Sequence, residues 1–201
     1  MSSIDTVFFD WGGVIADDPG DDFLLNLLRK IGASETQAQE IYGSTMRQFI
    51  RGEITEADYW QRLREDYGFT VHDTISEEFK DWNGLKVNPA ILTLVQQAKD
   101  AGLKVALLTN VIEPTHTVLD RAGYYDCFDI VIASCKVGLA KPQSEIYQLA
   151  LDRLETTAEH SLFIDDKQRN IEPAKQLGFH TILAQSPEQI ITDTNRYIAG
   201  D

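Results

Sequence analysis

The sequence predicts an α/β fold in which a parallel sheet with crossover helices is interrupted by an all-helical segment. From Asn88 onward, helical and strand-like patterns alternate along the chain, and this alternation is typical of a parallel sheet. Between Asp17 and about Leu85 the patterns are helical, without a convincing strand. A short run of β-branched and aromatic residues, 7–9, precedes that segment and predicts a buried strand. The helical segment is therefore predicted to be inserted directly behind the first strand of the sheet.

Composition narrows the classes of partner and compartment. The 201 residues suffice for one well-buried domain with a sizeable insertion. A formal charge of −14 argues against nucleic acid and against an anionic membrane as partners. No basic region precedes an apolar core at the N-terminus, and no run of the roughly 20 apolar residues that span a bilayer occurs, so we expect a cytoplasmic protein. It is expected to be a monomer or a homodimer. Any anion site in so acidic a chain requires a local cation, either a lysine or a metal such as Mg²⁺.

Four helices are predicted in the inserted segment, residues 17–85, and the remaining residues, 1–16 and 86–201, are predicted to form the sheet domain. The predicted helices cover residues 23–31, 34–50, 55–66 and 76–82. Thr55 and Asp58 have the spacing of a capping box. Trp60 and Trp82 lie at helical spacing that favours core positions over the cleft, whereas Arg47 and Arg51 are candidates to face the cleft. An insertion at this place can cover the end of the first strand as a lid.

The sheet domain is predicted to contain four further strands and five helices. The strands are predicted at residues 104–108, 129–133, 161–164 and 180–183, and the helices at 88–101, 114–122, 144–154, 170–177 and 187–197. Residues 135–142 are predicted to form a loop.

Polar residues follow several of these strands. They are Asp10, Thr109 with Asn110, Lys141, and Asp165 with Asp166. Ligands of an open parallel sheet bind outside the carboxyl ends of its strands, so the sequence predicts one site that contains all of them. Two adjacent carboxylates raise each other's pKa unless a cation is present, which favours a metal beside Asp165 and Asp166. Gly12 and Gly13 would let backbone N–H groups approach a phosphate.

At these residues the chain resembles the haloacid dehalogenase-like superfamily, in the subfamily with a helical cap inserted after the first motif. The resemblance rests on four motifs in the family's order: Val7-Phe8-Phe9-Asp10-Trp11-Gly12-Gly13-Val14, Leu107-Leu108-Thr109-Asn110, Gly138-Leu139-Ala140-Lys141-Pro142, and Phe163-Ile164-Asp165-Asp166 with Asn170. It implies a Rossmann-like core with an inserted four-helix cap. It also implies a phosphatase that acts on a small phosphorylated metabolite.

The resemblance assigns roles residue by residue. Asp10 would be the nucleophile that forms an aspartyl phosphate. The transferring phosphoryl group would be bound by Thr109, Asn110 and Lys141 together with the Gly12–Gly13 loop. Mg²⁺ would lie on the Asp10 carboxylate, the Gly12 carbonyl and Asp166, with Asp165 ligating directly or through water.

The chain departs from the common family pattern at Gly12, where most of these phosphatases carry a second aspartate that serves as general acid and base. The motif Asp-x-Gly-[Gly/Asn]-Val is similar to a subgroup that includes sugar-phosphate phosphatases such as bacterial glucose-1-phosphate phosphatase. Further likeness to that subgroup lies in residues 51–54 and 170–172. Without an acid, the enzyme is expected to prefer sugar 1-phosphates, whose leaving oxygen is less basic, over sugar 6-phosphates.

Two other functions remain open from the sequence. A phosphonoacetaldehyde hydrolase-like enzyme would need a Schiff-base lysine in the insertion, where Lys30 and Lys80 are the lysines present. A non-catalytic phosphate-binding or regulatory protein would have no use for a general acid.

Overall fold

The computed structural model describes residues 3–18, 20–72, 75 and 86–199. Five parallel strands form one sheet in the order β3-β2-β1-β4-β5. The strands are β1 (Thr6–Phe9), β2 (Lys104–Thr109), β3 (Ile130–Ala133), β4 (Ser161–Asp165) and β5 (His180–Leu183). The predicted α/β class, with its parallel sheet, is confirmed.

The first strand lies at the centre of the sheet, between β2 and β4. All four of its residues are buried, as expected for a strand covered on both faces. Phe9 is aligned with Leu107 on one side and with Ile164 on the other. The register therefore brings Asp10 out at the same edge as the ends of β2 and β4.

Ten α-helices surround the sheet or form the insertion within the described residues. They are α1 (Gly20–Lys30), α2 (Glu35–Ile41), α3 (Arg47–Ile50), α4 (Glu56–Glu65), α5 (Pro89–Asp100), α6 (Glu113–Arg121), α7 (Ser134–Val137), α8 (Ser144–Leu154), α9 (Gln168–Gln176) and α10 (Pro187–Ala199). Val7 and Phe9 pack in a cluster with residues of α5 and α10, whereas Phe8 packs in a cluster with residues of α8 and α9. The alternation along β1 thus places helices on both faces.

The inserted helices share a hydrophobic cluster that includes Phe49, Tyr59, Trp60 and Leu63 and, from the sheet domain, Ile112. Ser34 and Thr55 cap α2 and α4 in capping boxes, which satisfy backbone N–H groups at each helix start. The predicted core position of Trp60 is confirmed, since only 7% of the residue is exposed. The fourth predicted helix, 76–82, lies outside the described residues, and so does Trp82.

Two local features differ from the sequence expectation. The single helix predicted over residues 34–50 contains a π-helical turn, Tyr42–Met46, between α2 and α3. The loop predicted over residues 135–142 begins inside the short helix α7, which ends at Gly138 in a left-handed conformation. One turn of helix has too few residues to show a hydrophobic period, so α7 leaves no pattern in the sequence. Among the described residues, no helix is long and apolar enough to cross a bilayer.

Candidate active site

An ion-paired cluster lies at the carboxyl edge of the sheet, where β1 and β4 end. The Lys141 Nζ atom lies 2.8 Å from Asp10 Oδ2 and 2.7 Å from Asp165 Oδ2. The Lys141 side chain is 0% exposed. The second Asp10 oxygen, Oδ1, accepts a hydrogen bond of 2.7 Å from the backbone N–H of Trp11. The predicted convergence of Asp10, Lys141 and Asp165 at one edge is thus seen in the structure.

Asn110 fixes the backbone of Lys141. Its Nδ2 donates to the Lys141 carbonyl at 2.8 Å, and its Oδ1 accepts from the Lys141 N–H at 2.8 Å. Thr109, the last residue of β2, is buried. The amide of Asn110 therefore positions the lysine, whereas the sequence analysis expected it to bind the phosphoryl group.

Donors surround the carboxylate of Asp165 on all sides. Besides Lys141, it accepts from Lys167 N at 2.8 Å and from Asn170 Nδ2 at 2.9 and 3.0 Å. Asn170 is itself held by Tyr147, whose hydroxyl donates to the Asn170 carbonyl at 2.8 Å. A carboxylate offers about four lone-pair sites, and these contacts use them. Asp165 is thus arranged to orient Lys141 and has little capacity left for a metal ion.

The residues present fit a small hard cation. Asp10, Asp165 and Asp166 each place a carboxylate oxygen within 4.8 Å of the others. Asp166 Oδ1 is buried and has no hydrogen-bond partner among the described residues. Such an orphaned buried oxygen costs free energy unless something binds it. Oxygen ligands of this kind are those that Mg²⁺ takes in proteins.

The pKa shifts reflect excess negative charge at the cluster. Burial, opposed by the charge of Lys141, raises the pKa of Asp10 to about 7. Burial also raises the pKa of Asp166, with further contributions from the charges of Asp165 and Asp18. The pKa of Asp165 is lowered, because Lys141 and the hydrogen bonds to Lys167 and Asn170 outweigh its burial. The charges of Lys141 and Lys167 thus do not fully offset burial and mutual repulsion at Asp10 and Asp166, and a bound cation would favour the ionised forms of these carboxyl groups.

Gly13 makes room for Asp166. Its φ of +73° lies in the left-handed region, and a Cβ atom there would lie 2.4 Å from Cγ and Oδ2 of Asp166. The Gly13 N–H donates to the Ala16 carbonyl at 2.8 Å. The phosphate contact expected for this amide is not supported, because the amide is already used within its own turn. Glycine is required at position 13 for space and for backbone conformation.

Two charged residues near the cluster were missed by the sequence analysis. Asp18 Oδ2 forms an ion pair of 2.8 Å with Lys167 Nζ, and Asp18 lies against Gly12. Neither residue follows a predicted strand end directly. Only the fold of the loop after β1 brings Asp18 back to the site.

A cavity of about 240 Å³ lies between the insertion and the sheet domain, next to Lys141. Three arginines line it, Arg47 and Arg51 from the insertion and Arg169 from α9. The arginine candidates of the insertion thus face this cleft. Arg51 is ion-paired with Glu53 at 2.5 Å, so part of the positive charge at this cavity is offset by a neighbouring carboxylate.

The insertion contacts the sheet domain at the residues on either side of Arg51, Ile50 and Gly52. Ser134 Oγ donates to the Ile50 carbonyl at 2.7 Å and accepts from Val111 N at 2.9 Å. At Gly52, φ is +68°, and a Cβ atom would lie 2.3 Å from the Cys135 carbonyl oxygen. The two backbones approach as closely as glycine allows. Arg51 is therefore presented to the cavity from a fixed stretch of chain.

Proteins of known name with similar sequences include two phosphatases. The chain is 30% identical over 173 residues to sesquiterpene phosphatase astK of Aspergillus oryzae, covering 85% of this chain and 84% of that protein. It is 27% identical over 188 residues to a phosphorylated carbohydrates phosphatase of Thermotoga maritima, covering 89% of this chain and 84% of that protein. Other relatives are longer: the chain spans 18% of mouse acyl-CoA dehydrogenase family member 10.

Solved structures show the same fold. A HAD family enzyme of Bacteroides thetaiotaomicron superposes with a TM-score of 0.76 at 23% identity, over 92% of this chain and 96% of that chain. That enzyme has also been crystallised with magnesium and inorganic phosphate. The sequence profile of the haloacid dehalogenase-like hydrolases matches residues 4–178. The profile covers most of the chain, and this chain therefore belongs to the haloacid dehalogenase-like hydrolase family.

Proposed function

We propose that the protein is a Mg²⁺-dependent phosphatase that forms an aspartyl phosphate on Asp10. The observation that carries the proposal is the pairing of the Asp10 carboxylate with Lys141 at 2.8 Å, beside a buried, unpartnered oxygen of Asp166. Phosphoryl transfer needs a nucleophilic carboxylate, a fixed cation and a carboxylate oxygen that can bind a metal ion. Two relatives of similar length are named phosphatases.

Asp10 and Asp166 would hold the metal ion, together with the carbonyl of Gly12. Mg²⁺ supplies charge neutralisation for the attack of a carboxylate on a phosphate dianion. Asp165 would contribute mainly through Lys141, because its oxygens already accept from Lys141, Lys167 and Asn170. The magnesium in the crystallised Bacteroides enzyme supports this choice of ion.

The reaction would take two steps at phosphorus. In the first step, Asp10 attacks the phosphorus atom, the new Asp–O–P bond forms, and the bond to the leaving oxygen breaks. Lys141 would offset the charge on the transferring phosphoryl oxygens, and the hydroxyl of Thr109, a buried residue at the end of β2, would bind one of them. In the second step, water attacks the phosphorus atom and Asp10 is released as a carboxylate together with inorganic phosphate.

We propose a sugar phosphate as the substrate class, with sugar 1-phosphates included. The cavity of about 240 Å³ suits a small metabolite, and its arginines would attract an anion to an otherwise acidic protein. The relative from Thermotoga maritima, a phosphorylated carbohydrates phosphatase, supports the same class. The likeness to the glucose-1-phosphate phosphatase-like subgroup at residues 51–54 points in the same direction.

A phosphonoacetaldehyde hydrolase-like mechanism needs a Schiff-base lysine in the insertion, and the one lysine described there does not have a suitable setting. Lys30 is exposed at the end of α1, whereas a Schiff-base lysine is activated in a desolvated pocket or beside another cationic group. Lys80 lies outside the described residues. A non-catalytic protein remains the alternative that the assay must separate from an enzyme.

The test is turnover of an aryl phosphate by the purified protein with and without Mg²⁺. We expect activity that a chelator removes and that Asp10→Asn abolishes without lowering the melting temperature. Asp100→Asn, an exposed carboxylate on α5, is the matched control and should leave the rate unchanged. A chelator-resistant rate, or Asp10→Asn retaining more than about a tenth of the activity, would contradict the proposal.

A further inference from the structure

The cavity beside Lys141 is lined by hydrogen-bond donors more than by acceptors. An arginine side chain donates hydrogen bonds and cannot accept them, and Arg47, Arg51 and Arg169 all line this cavity. No carboxylate is among the described residues of its lining, although the chain contains 32 acidic and 18 basic residues. A ligand group that matches such a wall accepts hydrogen bonds and carries negative charge.

The neutral amide side chains of the lining are largely used within the protein. Both ends of the Asn110 amide bind the Lys141 backbone, and Gln143 Oε1 accepts from the Ala140 N–H at 3.0 Å. Sugar hydroxyl groups both donate and accept, so a site for a neutral sugar needs acceptors as well as donors. This wall therefore suits a carboxylate or a phosphate better than a row of hydroxyl groups.

The cavity extends away from the atoms at which the phosphoryl group would be transferred. Asp10, Asp165 and Asp166 are not among the described residues that line it, whereas Lys141 is. The Lys141 ammonium group is already paired with Asp10 and Asp165. A substrate with its phosphorus atom at Asp10 would therefore extend its leaving group into the cavity, towards the arginines.

A π-helical turn aligns the residues of the insertion that face the cavity. Tyr42, Arg47 and Arg51 line it, and the π-helical turn Tyr42–Met46 separates the first two. A π-helix pairs residues five apart, as an α-helix pairs residues four apart, so Tyr42 and Arg47 come to the same side of the helix. Arg51 follows one α-helical turn later, and its N–H donates to the Arg47 carbonyl at 3.1 Å. Such π-helical turns are frequent at functional sites.

Two like charges one helical turn apart repel each other, and a bound anion offsets that repulsion. Glu53 accepts from Arg51 Nε at 2.5 Å, which orients the guanidinium group and leaves its terminal nitrogens for other partners. The Arg51 side chain is only 23% exposed. We propose that Arg47 and Arg51 bind a second anionic group of the substrate, a carboxylate or a phosphate, an inference that rests on the proposed phosphatase function. The substrate class is thereby narrowed to sugar phosphates that carry an acidic group besides the phosphate that is transferred.

The alternative is that the two arginines serve only the helix. Cations near the C-terminus of a helix interact favourably with its dipole, and Arg51 lies at the end of α3. A role of this kind predicts that Arg47→Gln changes the melting temperature and lowers activity by the same factor for acidic and neutral substrates. A binding role predicts a loss that depends on the second anionic group. Selectivity between matched substrates therefore separates the two roles.

The experiment compares glucose 1-phosphate with glucuronate 1-phosphate, which carries a carboxylate at C6, at saturating Mg²⁺. We expect the wild type to prefer the glucuronate ester by roughly tenfold or more in kcat/KM, because a hydrogen bond to a charged group is worth about that factor. Arg47→Gln should remove most of this preference. Arg64→Gln is the matched control, since it removes an exposed arginine of α4 that is not among the residues lining the cavity, and it should keep the preference.

Glucose 1,6-bisphosphate, which carries a phosphate in place of the carboxylate, identifies which of the two anions is preferred. Calorimetric titration of Asp10→Asn with the same three compounds gives a readout that needs no turnover. The preferred acidic compound should bind roughly tenfold or more tightly than glucose 1-phosphate.

Two results would overturn the second anion site alone. One is a set of kcat/KM values and affinities that agree within about threefold for the acidic and neutral compounds. The other is an equal loss of preference in Arg47→Gln and Arg64→Gln. Preferential binding of an acidic compound by a wild type that turns over none of the three would support the anion site and overturn the phosphatase function alone.

Discussion

Replacing Lys141 by Met tests the electrostatic organisation of the site. The side chain is fully buried and makes two ion pairs, with Asp10 at 2.8 Å and Asp165 at 2.7 Å. Met fills a similar volume, so the change removes the ammonium charge more than the packing. Removing one partner of a buried ion pair costs about 3–5 kcal/mol, because the charge left behind is uncompensated. For a chain of this size each kcal/mol lowers the melting temperature by about 2–4 °C, so we expect a fall of about 6–20 °C at pH 8.

The destabilisation should depend on pH. Without Lys141, the pKa values of Asp10 and Asp165 rise, because burial then acts without an opposing charge. A carboxyl group with a raised pKa in the folded state contributes full stability below its ordinary pKa and loses it as the pH rises through the raised value. The difference between Lys141→Met and wild type should therefore be small near pH 4 and grow towards pH 8.

The assay is thermal melting of both proteins in chelator at pH values from 4 to 8. Lys136→Met is the matched control: Lys136 pairs with Glu113 at 2.6 Å, but both side chains are 48% exposed, so the loss should stay below about 1 kcal/mol. A difference for Lys141→Met that stays constant with pH, or that does not exceed that of Lys136→Met, would refute this account of the cluster.

Three further predictions concern the metal ion, a glycine and the cavity. Mg²⁺ should raise the melting temperature more at pH 8 than at pH 6, because protons compete with the metal ion for Asp10, whose pKa is raised to about 7. At a Mg²⁺ concentration of about 100 times its dissociation constant, the free energy of unfolding should increase by about 2.7 kcal/mol. Gly13→Ala should abolish this Mg²⁺ response, because the added Cβ atom displaces Asp166. The control is Gly102→Ala, since Gly102 has a φ of +85° and open space around it. This variant should lose only about 1–2 kcal/mol of stability through backbone strain. Arg51→Gln should raise KM for a sugar phosphate at least about fivefold with a smaller effect on kcat, and equal kcat and KM effects would contradict its place in the cavity.

The parallel sheet and the location of the site follow from local patterns in the sequence, whereas the order of the strands comes from the structure. Strands β1, β2 and β4 are short and largely apolar and end at or just before Asp10, Thr109 and Asp165, so the sequence pattern indicates both the strand and the end that carries the site. The helix at residues 144–154 was predicted with the bounds that the structure gives. The capping box of Thr55 and Asp58 predicts the start of α4, because helix capping depends only on neighbours within one turn.

Features that depend on tertiary packing were not predictable. Asn110 looks like a ligand-binding residue in a strand-end motif, yet both ends of its amide bind the Lys141 backbone. Asp18 has no signal in the sequence, since its place over Gly12 results from bridges to Ala16 and Val87. The hydroxyl of Ser134 joins the insertion to the sheet domain across 84 positions of sequence, a contact that no local pattern encodes.

The most direct test of the proposed function is to trap the phosphorylated enzyme. The wild-type protein is mixed with an aryl phosphate and Mg²⁺, quenched in acid within a single turnover, and digested for mass spectrometry. We expect one added phosphoryl group on the peptide that contains Asp10, and none in Asp10→Asn treated in the same way. A wild-type enzyme that turns over the substrate but carries the phosphoryl group on another residue would contradict the central role of Asp10.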